Sequence, residues 1–307
     1  MSIALSDMKY REAFGYQISR IGLGTVQLGL TYGIANKSGQ PSTQQAQGIL
    51  QEAKKSGITF LDTARGYGTS EEIIGEFLKA DDRSGNMIVS TKLPGVETLK
   101  QSITETIETS RQMLGLARIP FLLLHRAVDL NEKVLSELKG LQAQSILDRL
   151  GVSIYTPEEA EIALAHKDVD IIQIPFNIFD QRLRRNGFLK RAAGLGKMVI
   201  ARSAYLQGLA LMEERDIPEK LSAFIPFKQK FKAISENYKI FEKELALRYV
   251  LSQNEITSVI VGAETVPQVK ENIEIASRDS LPENILKEIE SNFVDIPDKL
   301  INPALWN

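Results

Sequence analysis

The chain of 307 residues has no cysteine, only two histidines and a single tryptophan. Without cysteine there is no disulfide, no thiolate nucleophile and no thiolate metal site, and two histidines leave little for an imidazole-based metal centre. Neither charge sign is in excess: 37 basic side chains face 39 acidic ones, for a net charge of −2. A nucleic-acid or membrane-surface partner would call for a basic patch or stripe, so none is expected. No apolar run approaches the ~18 residues of a membrane-crossing helix. Residues 1–11 lack the apolar stretch of a secretory leader, and a cytoplasmic location is the expectation. With 43% apolar and 25% charged residues, the composition is that of an ordinary globular protein.

What is present is a repeat of short apolar runs, each followed by an amphipathic segment. Phe14-Gly15 reads as the turn of a small hairpin between Tyr10-Arg11 and Gln17-Ile18-Ser19, ahead of the main fold. Strands are then expected at 20–25, 58–62, 87–91, 121–124, 150–153, 171–174, 198–201 and 259–261. The helix after 58–62 is expected to take Ser70 as its N-cap, and Thr156-Pro157-Glu158-Glu159 is a further start signal. Helices over 228–252, 266–276 and 282–292 close the chain, with Trp306 packing in a loose tail.

Strands alternating with helices indicate a parallel sheet covered by helices. Eight such units in about 250 residues match a (β/α)₈ barrel of the TIM type. An open doubly wound sheet would need a third glycine after Gly22-Leu23-Gly24 and a helix directly behind it, and neither is there. The expected fold class is therefore α/β: one barrel domain over 1–307, with an N-terminal β-hairpin and extra C-terminal helices. Two connections, 28–41 and 205–226, are too long for plain links and are candidate substrate or cofactor loops.

Catalytic groups of such barrels stand at the C-terminal ends of strands. Reading those ends in turn gives Asp62, Lys92 and His125, with Tyr67 in the loop behind Asp62. Each alone has an ordinary structural explanation; the four together at successive strand ends point to chemistry. A carbonyl that accepts hydride at carbon needs a proton at oxygen, and a phenol is a weak acid at pH 7 unless a cation favours its phenolate. Lys92 is expected to be that cation for Tyr67, Asp62 to hold Lys92, and His125 to orient the carbonyl oxygen. Arg182, Arg184 and Arg185 read as solvated surface, with the binding of an acidic substrate as the alternative.

The motifs Arg20-Ile21-Gly22-Leu23-Gly24-Thr25, Gly57-Ile58-Thr59-Phe60-Leu61-Asp62-Thr63-Ala64, Tyr67-Gly68, Thr91-Lys92, Leu122-Leu123-Leu124-His125-Arg126, Gly151-Val152-Ser153, Gln173-Ile174-Pro175-Phe176-Asn177 and Ala246-Leu247-Arg248-Tyr249-Val250-Leu251 follow in this order. In that combination the chain resembles the aldo-keto reductases. The resemblance implies a barrel that binds a nicotinamide dinucleotide and reduces a small aldehyde or ketone, with a sugar-like carbonyl among the expected substrates. The family's Asp, Tyr, Lys and His tetrad falls on Asp62, Tyr67, Lys92 and His125. A cofactor path is implied as well: Gly24 and Thr25 under the nicotinamide, Ser153 and Gln173 on its carboxamide. Ser203, Tyr205, Gln207 and Gly208 would then run along the pyrophosphate, with Gly262, Ala263, Gln268 and Asn272 at the adenosine end.

Three positions depart from the family pattern. Ile154 stands where an asparagine usually follows the serine. Arg202 replaces an aromatic residue that stacks on the nicotinamide, and would disfavour the cationic oxidised ring. The adenosine end carries Glu264, with Lys270 as the nearest cation. NADP(H) is the expected cofactor and NAD(H) the alternative, with weaker discrimination than the family default. A nicotinamide-binding regulatory subunit with little turnover is the competing function. No metal is expected, and the oligomeric state is not legible.

Overall fold

Phe14 and Gly15 both adopt left-handed backbone angles (φ 54 and 82), which folds strand β1 (Tyr10–Ala13) back on β2 (Tyr16–Ser19). In the computed structural model of the chain, residues 8–80 and 87–306 are described. The first seven residues of the stretch read as lacking a secretory leader therefore lie outside the described part. The hairpin is antiparallel and lies across one end of the main sheet, where Ile18 joins the inner core and Tyr16 meets Phe121 edge-on at 5.2 Å.

Eight parallel strands close into the expected barrel: β3 (Ile21–Gly24), β4 (Phe60–Asp62), β5 (Ile88–Leu93), β6 (Ile119–Leu124), β7 (Leu147–Ser153), β8 (Ile171–Pro175), β9 (Met198–Arg202) and β10 (Ser258–Gly262). Each pairs with the next, and β10 closes on β3. The strand expected from residue 58 starts only at Phe60. Gly57 takes φ 87 and the Ile58 N–H donates to the Ala53 carbonyl, so these residues terminate the preceding helix (Thr43–Lys55) instead.

Side chains alternate across a strand, so one set fills the barrel and the other faces the helices. Phe60, Ile88, Phe121, Leu123, Ile171, Met198, Ile200 and Ile260 pack together inside. Leu61, Val89, Leu122, Leu124, Ile172, Ile174, Val199 and Val261 belong to the outer core shared with the helices. Counting by twos from the inner set reaches Asp62, Lys92, Gln173 and Arg202. The alternation that builds the core thus aims these polar groups into the barrel mouth.

Two local expectations are corrected. The helix Ser70–Ala80 starts at Ser70 as expected, but Ser70 is its first residue rather than its cap, and it is fully buried. Its hydroxyl lies 2.8 Å from Thr25 Oγ1 and 2.9 Å from Thr63 Oγ1, tying the ends of β3 and β4 to the helix that follows. Arg184 and Arg185 are exposed, as expected of a surface cluster, but all three arginines are held by partners within the chain. Arg182 pairs with Asp180 at 2.8 Å and Asp298 at 3.1 Å, and Arg184 with Glu290 at 2.7 Å. Arg185 donates to the Phe293 and Val294 carbonyls. Together they clamp the C-terminal segment onto the barrel. Trp306 is buried, as expected of a packing residue.

The loop that carries Tyr67 is held by a close backbone approach. A Cβ on Gly29 would lie 2.6 Å from the Ser70 nitrogen and closer still to the Tyr67 carbonyl oxygen, whereas a Cβ on Gly66 would meet nothing within 4 Å. Gly29→Ala is expected to cost about 1–3 kcal/mol, the usual range for overpacking, and Gly66→Ala far less. Thermal denaturation of the two variants checks this, and equal melting temperatures would contradict it.

Candidate active site

Asp62, at the end of β4, is 4% exposed and Lys92, on β5, is 1% exposed. Such burial is tolerable only if both charges are answered. Lys92 Nζ donates to Asp62 Oδ2 at 2.6 Å and to the Thr63 carbonyl at 2.9 Å, while Gln173 Nε2 donates to Asp62 Oδ1 at 2.8 Å. Loss of water pushes the Lys92 pKa down, and Asp62 opposes that shift.

Tyr67 lies over this pair, its ring centroid 5.1 Å from Lys92 Nζ and 5.9 Å, edge-on, from the His125 ring. Burial and then Asp62 raise the phenol's pKa, with Arg202 acting against them. The net direction is upward, and the Lys92 ammonium expected to oppose it is engaged by Asp62 and Thr63. His125 moves the other way. Burial, then Lys92 and Arg202, bring its pKa from 6.5 down to about 4, so the imidazole is neutral at pH 7.

These groups face a cavity of about 490 Å³ at the C-terminal ends of the strands. Asp62, Tyr67 and His125 line it, as do Gly24, Thr25, Ser153, Gln173, Arg202, Ser203, Tyr205, Gln207, Gly208, Gly262, Gln268 and Asn272. Lys92 lies beneath it, and Ala263 is buried and does not line it. A larger concavity of about 1110 Å³ opens at the hairpin end, between Tyr10, Tyr16 and Met113, away from all of these groups.

Several lining residues had no signal in the sequence. The Tyr32 hydroxyl accepts from Gln207 Nε2 at 2.9 Å, and the Tyr155 ring carries the Arg202 guanidinium at 4.3 Å. Lys37 and Asp216, from the two long loops, pair across 3.4 Å. Tyr155 could have been suspected from its place two residues beyond Ser153. The loop residues could not, because loop length does not fix which side chains meet. Ile154 is buried in the outer core and offers only its backbone, whose carbonyl accepts from Arg202 Nη2 at 3.1 Å.

The cavity suits a dinucleotide carrying a carboxamide. Gln173 Oε1 and Gln27 Oε1 are buried acceptors without a hydrogen-bond partner among the described residues. Ser203, Leu206, Gln207 and Gly208 all take positive φ (63, 49, 54 and 94), a strained path of the kind kept at ligand-binding loops. No group of three or more metal-ligating side chains occurs among the described residues.

A sequence model described as the Aldo/keto reductase family matches residues 20–292. The chain belongs to the aldo/keto reductase family. The uncharacterized oxidoreductase YqkF of Bacillus subtilis is 26% identical over 300 residues, which cover 90% of this chain and 92% of that protein. The NADH-specific methylglyoxal reductase of Escherichia coli is 26% identical over 298 residues, 83% and 89% of the two chains. The holo form of aldo-keto reductase AKR11C1 from Bacillus halodurans superposes with a TM-score of 0.76 at 22% identity, covering 93% of this chain and 96% of that one. This aldo/keto reductase is thus an NAD(P)H-dependent enzyme acting on small-molecule carbonyl compounds. No helix among its described residues is long and apolar enough to cross a membrane.

The state of His125 is directly measurable. Its folded pKa of about 4 lies below the ordinary 6.5, so its contribution to stability is present above pH 6.5 and is lost as pH falls through about 4. With two histidines in the chain, NMR titration should show one imidazole that stays neutral at pH 6 and protonates near pH 4, identified by its loss in His125→Gln. Titration of that ring near 6.5 would contradict the electrostatic account.

Proposed function

We propose that this aldo/keto reductase reduces an aldehyde or ketone at the barrel mouth, with Tyr67 as proton donor. The supporting observation is the convergence of Tyr67, His125 and the buried Asp62–Lys92 pair on one cavity beside the unpartnered Gln173 Oε1. When bound, the reduced nicotinamide supplies hydride to the carbonyl carbon. Gln173 Oε1 and Ser153 would hold its carboxamide, over Gly24 and Thr25. The 203–208 loop would follow the pyrophosphate, and Gly262, Gln268 and Asn272 the adenosine end.

Tyr67 is fully protonated at neutral pH because burial and Asp62 raise its pKa. That loads the acid. Its proton moves as negative charge develops on the carbonyl oxygen, since an alkoxide is a stronger base than a phenolate. Arg202, whose charge opposes that rise, provides positive potential for the phenolate left behind, with the Lys92 ammonium 5.1 Å from the ring centroid. Neutral His125 can donate one hydrogen bond to the carbonyl oxygen without competing for the proton. The phenols of Tyr32 and Tyr155, which also line the cavity, suit a substrate bearing hydroxyls, as a sugar-like carbonyl compound does.

At the adenosine end the expected cation is turned away. Lys270 Nζ lies 3.8 Å from Glu52, while Lys243 is paired with Glu271. Glu264 lines the cavity, its N–H donating to Gln268 Oε1 at 2.7 Å. A 2′-phosphate would have backbone donors and Thr265, while the two nearby lysines among the described residues, Lys243 and Lys270, already face carboxylates. We infer that NADP(H) is used and NAD(H) accepted with less than ~100-fold discrimination, about 2.7 kcal/mol.

Tyr67→Phe is expected to lower turnover by at least ~10²–10⁴-fold and leave cofactor affinity near wild type. Steady-state kinetics on an aldehyde panel, with fluorescence titration of both cofactors in both redox states, tests these statements together. Reduced forms should bind more tightly than oxidised ones, because Arg202 repels the cationic ring. A variant nearly as fast as wild type would remove Tyr67 from its role. Cofactor binding with no turnover of any carbonyl would favour a regulatory subunit.

A further inference from the structure

Among the described residues, Arg202 carries a cavity charge near Tyr67 and His125 that no acidic side chain answers. Asp62 is engaged by Lys92, at 2.6 Å, and by Gln173. Of the other acids lining the cavity, Asp216 pairs with Lys37, and no carboxylate among the described residues lies within 4 Å of the Arg202 guanidinium. Its partners among the described residues are all neutral: the Ile154 carbonyl at 3.1 Å, Ser203 Oγ at 3.4 Å and the face of Tyr155 at 4.3 Å. A guanidinium has five donors and is always charged, so donors remain for a ligand. The charge is felt by Tyr67, His125, Lys92 and Tyr32 alike, which places it at the reacting end of the cavity. Tyr155, which holds the guanidinium in place, is itself fixed from behind, since Arg182 Nη2 donates to its carbonyl at 3.2 Å.

We propose that the substrate is a carbonyl compound bearing a carboxylate, an oxo acid or aldehydic acid, and that Arg202 binds that carboxylate while the carbonyl meets Tyr67 and His125. This deepens the carbonyl-reductase reading and rests on it. One planar guanidinium matches one planar carboxylate edge to edge and answers its single charge, whereas it would leave the second charge of a phosphate dianion unanswered. The reaction is unchanged: hydride goes to the carbonyl carbon and a proton to its oxygen, and the carboxylate is a spectator.

The test compares substrates that differ only in that charge: glyoxylate with ethyl glyoxylate, and succinic semialdehyde with its methyl ester. In the wild-type enzyme kcat/KM for the acid of at least one pair should exceed that for its ester by about tenfold to a hundredfold, the range of a hydrogen bond to a charged group. In Arg202→Gln turnover of acid and ester should both drop, because Arg202 also supports the Tyr67 phenolate, and the acid-to-ester ratio should fall to near unity through a further rise in the KM of the acid; Arg202→Lys should restore part of the ratio. Oxamate, which has the carboxylate and no reducible carbonyl, should compete with the substrate in wild type, and this arm stands even if the variants do not fold. Acids no better than esters in wild type, or a ratio unchanged in Arg202→Gln, would overturn the proposal. So would a variant that loses acid and ester equally while its cofactor dissociation constant rises, which assigns Arg202 to the cofactor alone. An enzyme that reduces neutral aldehydes and ignores oxamate sinks only this inference; one that binds cofactor and reduces no carbonyl removes the reductase reading beneath it.

Discussion

The mouth of the barrel is built around one buried ion pair. Asp62 and Lys92 stand on neighbouring strands, both on the inward face, and meet at 2.6 Å with almost no water contact. Removing two charges from water costs several kcal/mol each, and their attraction offsets this only with good geometry and further hydrogen bonds. The barrel provides both. Gln173 reaches across from β8 to the second Asp62 oxygen, and the Thr63 carbonyl takes another Lys92 proton. Because the acid is fully engaged, everything above it experiences a fixed arrangement of charge. Tyr67 is held protonated, His125 is held neutral, and Arg202 is left as the unanswered cation.

Much of this could be read in the chain because a barrel converts strand order into spatial order. Asp62, Lys92, His125, Ser153, Gln173 and Arg202 each end or follow an apolar run, and period-two alternation with a closed parallel sheet brings them together. No loop conformation had to be known. The same regularity explains why the core was legible: Phe60, Ile88, Phe121 and Ile171 are the inward residues of the same strands.

What was not legible depends on where irregular segments land. Ser70 looked like a helix cap from its type and position, but the close approach at Gly29 leaves its hydroxyl beside Thr25 and Thr63. Arg182, Arg184 and Arg185 looked like surface because their partners, Asp298, Glu290 and two carbonyls, lie more than a hundred residues away. Tyr32 reaches the cavity through a loop whose course no local pattern encodes. The surroundings of the Tyr67 phenol were not legible for a similar reason: the sequence puts a cation near it but does not reveal that Asp62 and the Thr63 carbonyl engage that ammonium.

The central claim is that the cavity over Asp62 and Lys92 delivers hydride and proton to one carbonyl. It is tested most directly with reduced cofactor deuterated at one face of nicotinamide C4, following the label into product by NMR. The account predicts deuterium on the carbinol carbon from only one of the two labelled faces, with a primary isotope effect, and the exchangeable product proton drawn from solvent through Tyr67. Product that carries no deuterium from either labelled face, or equal transfer from both, would contradict it.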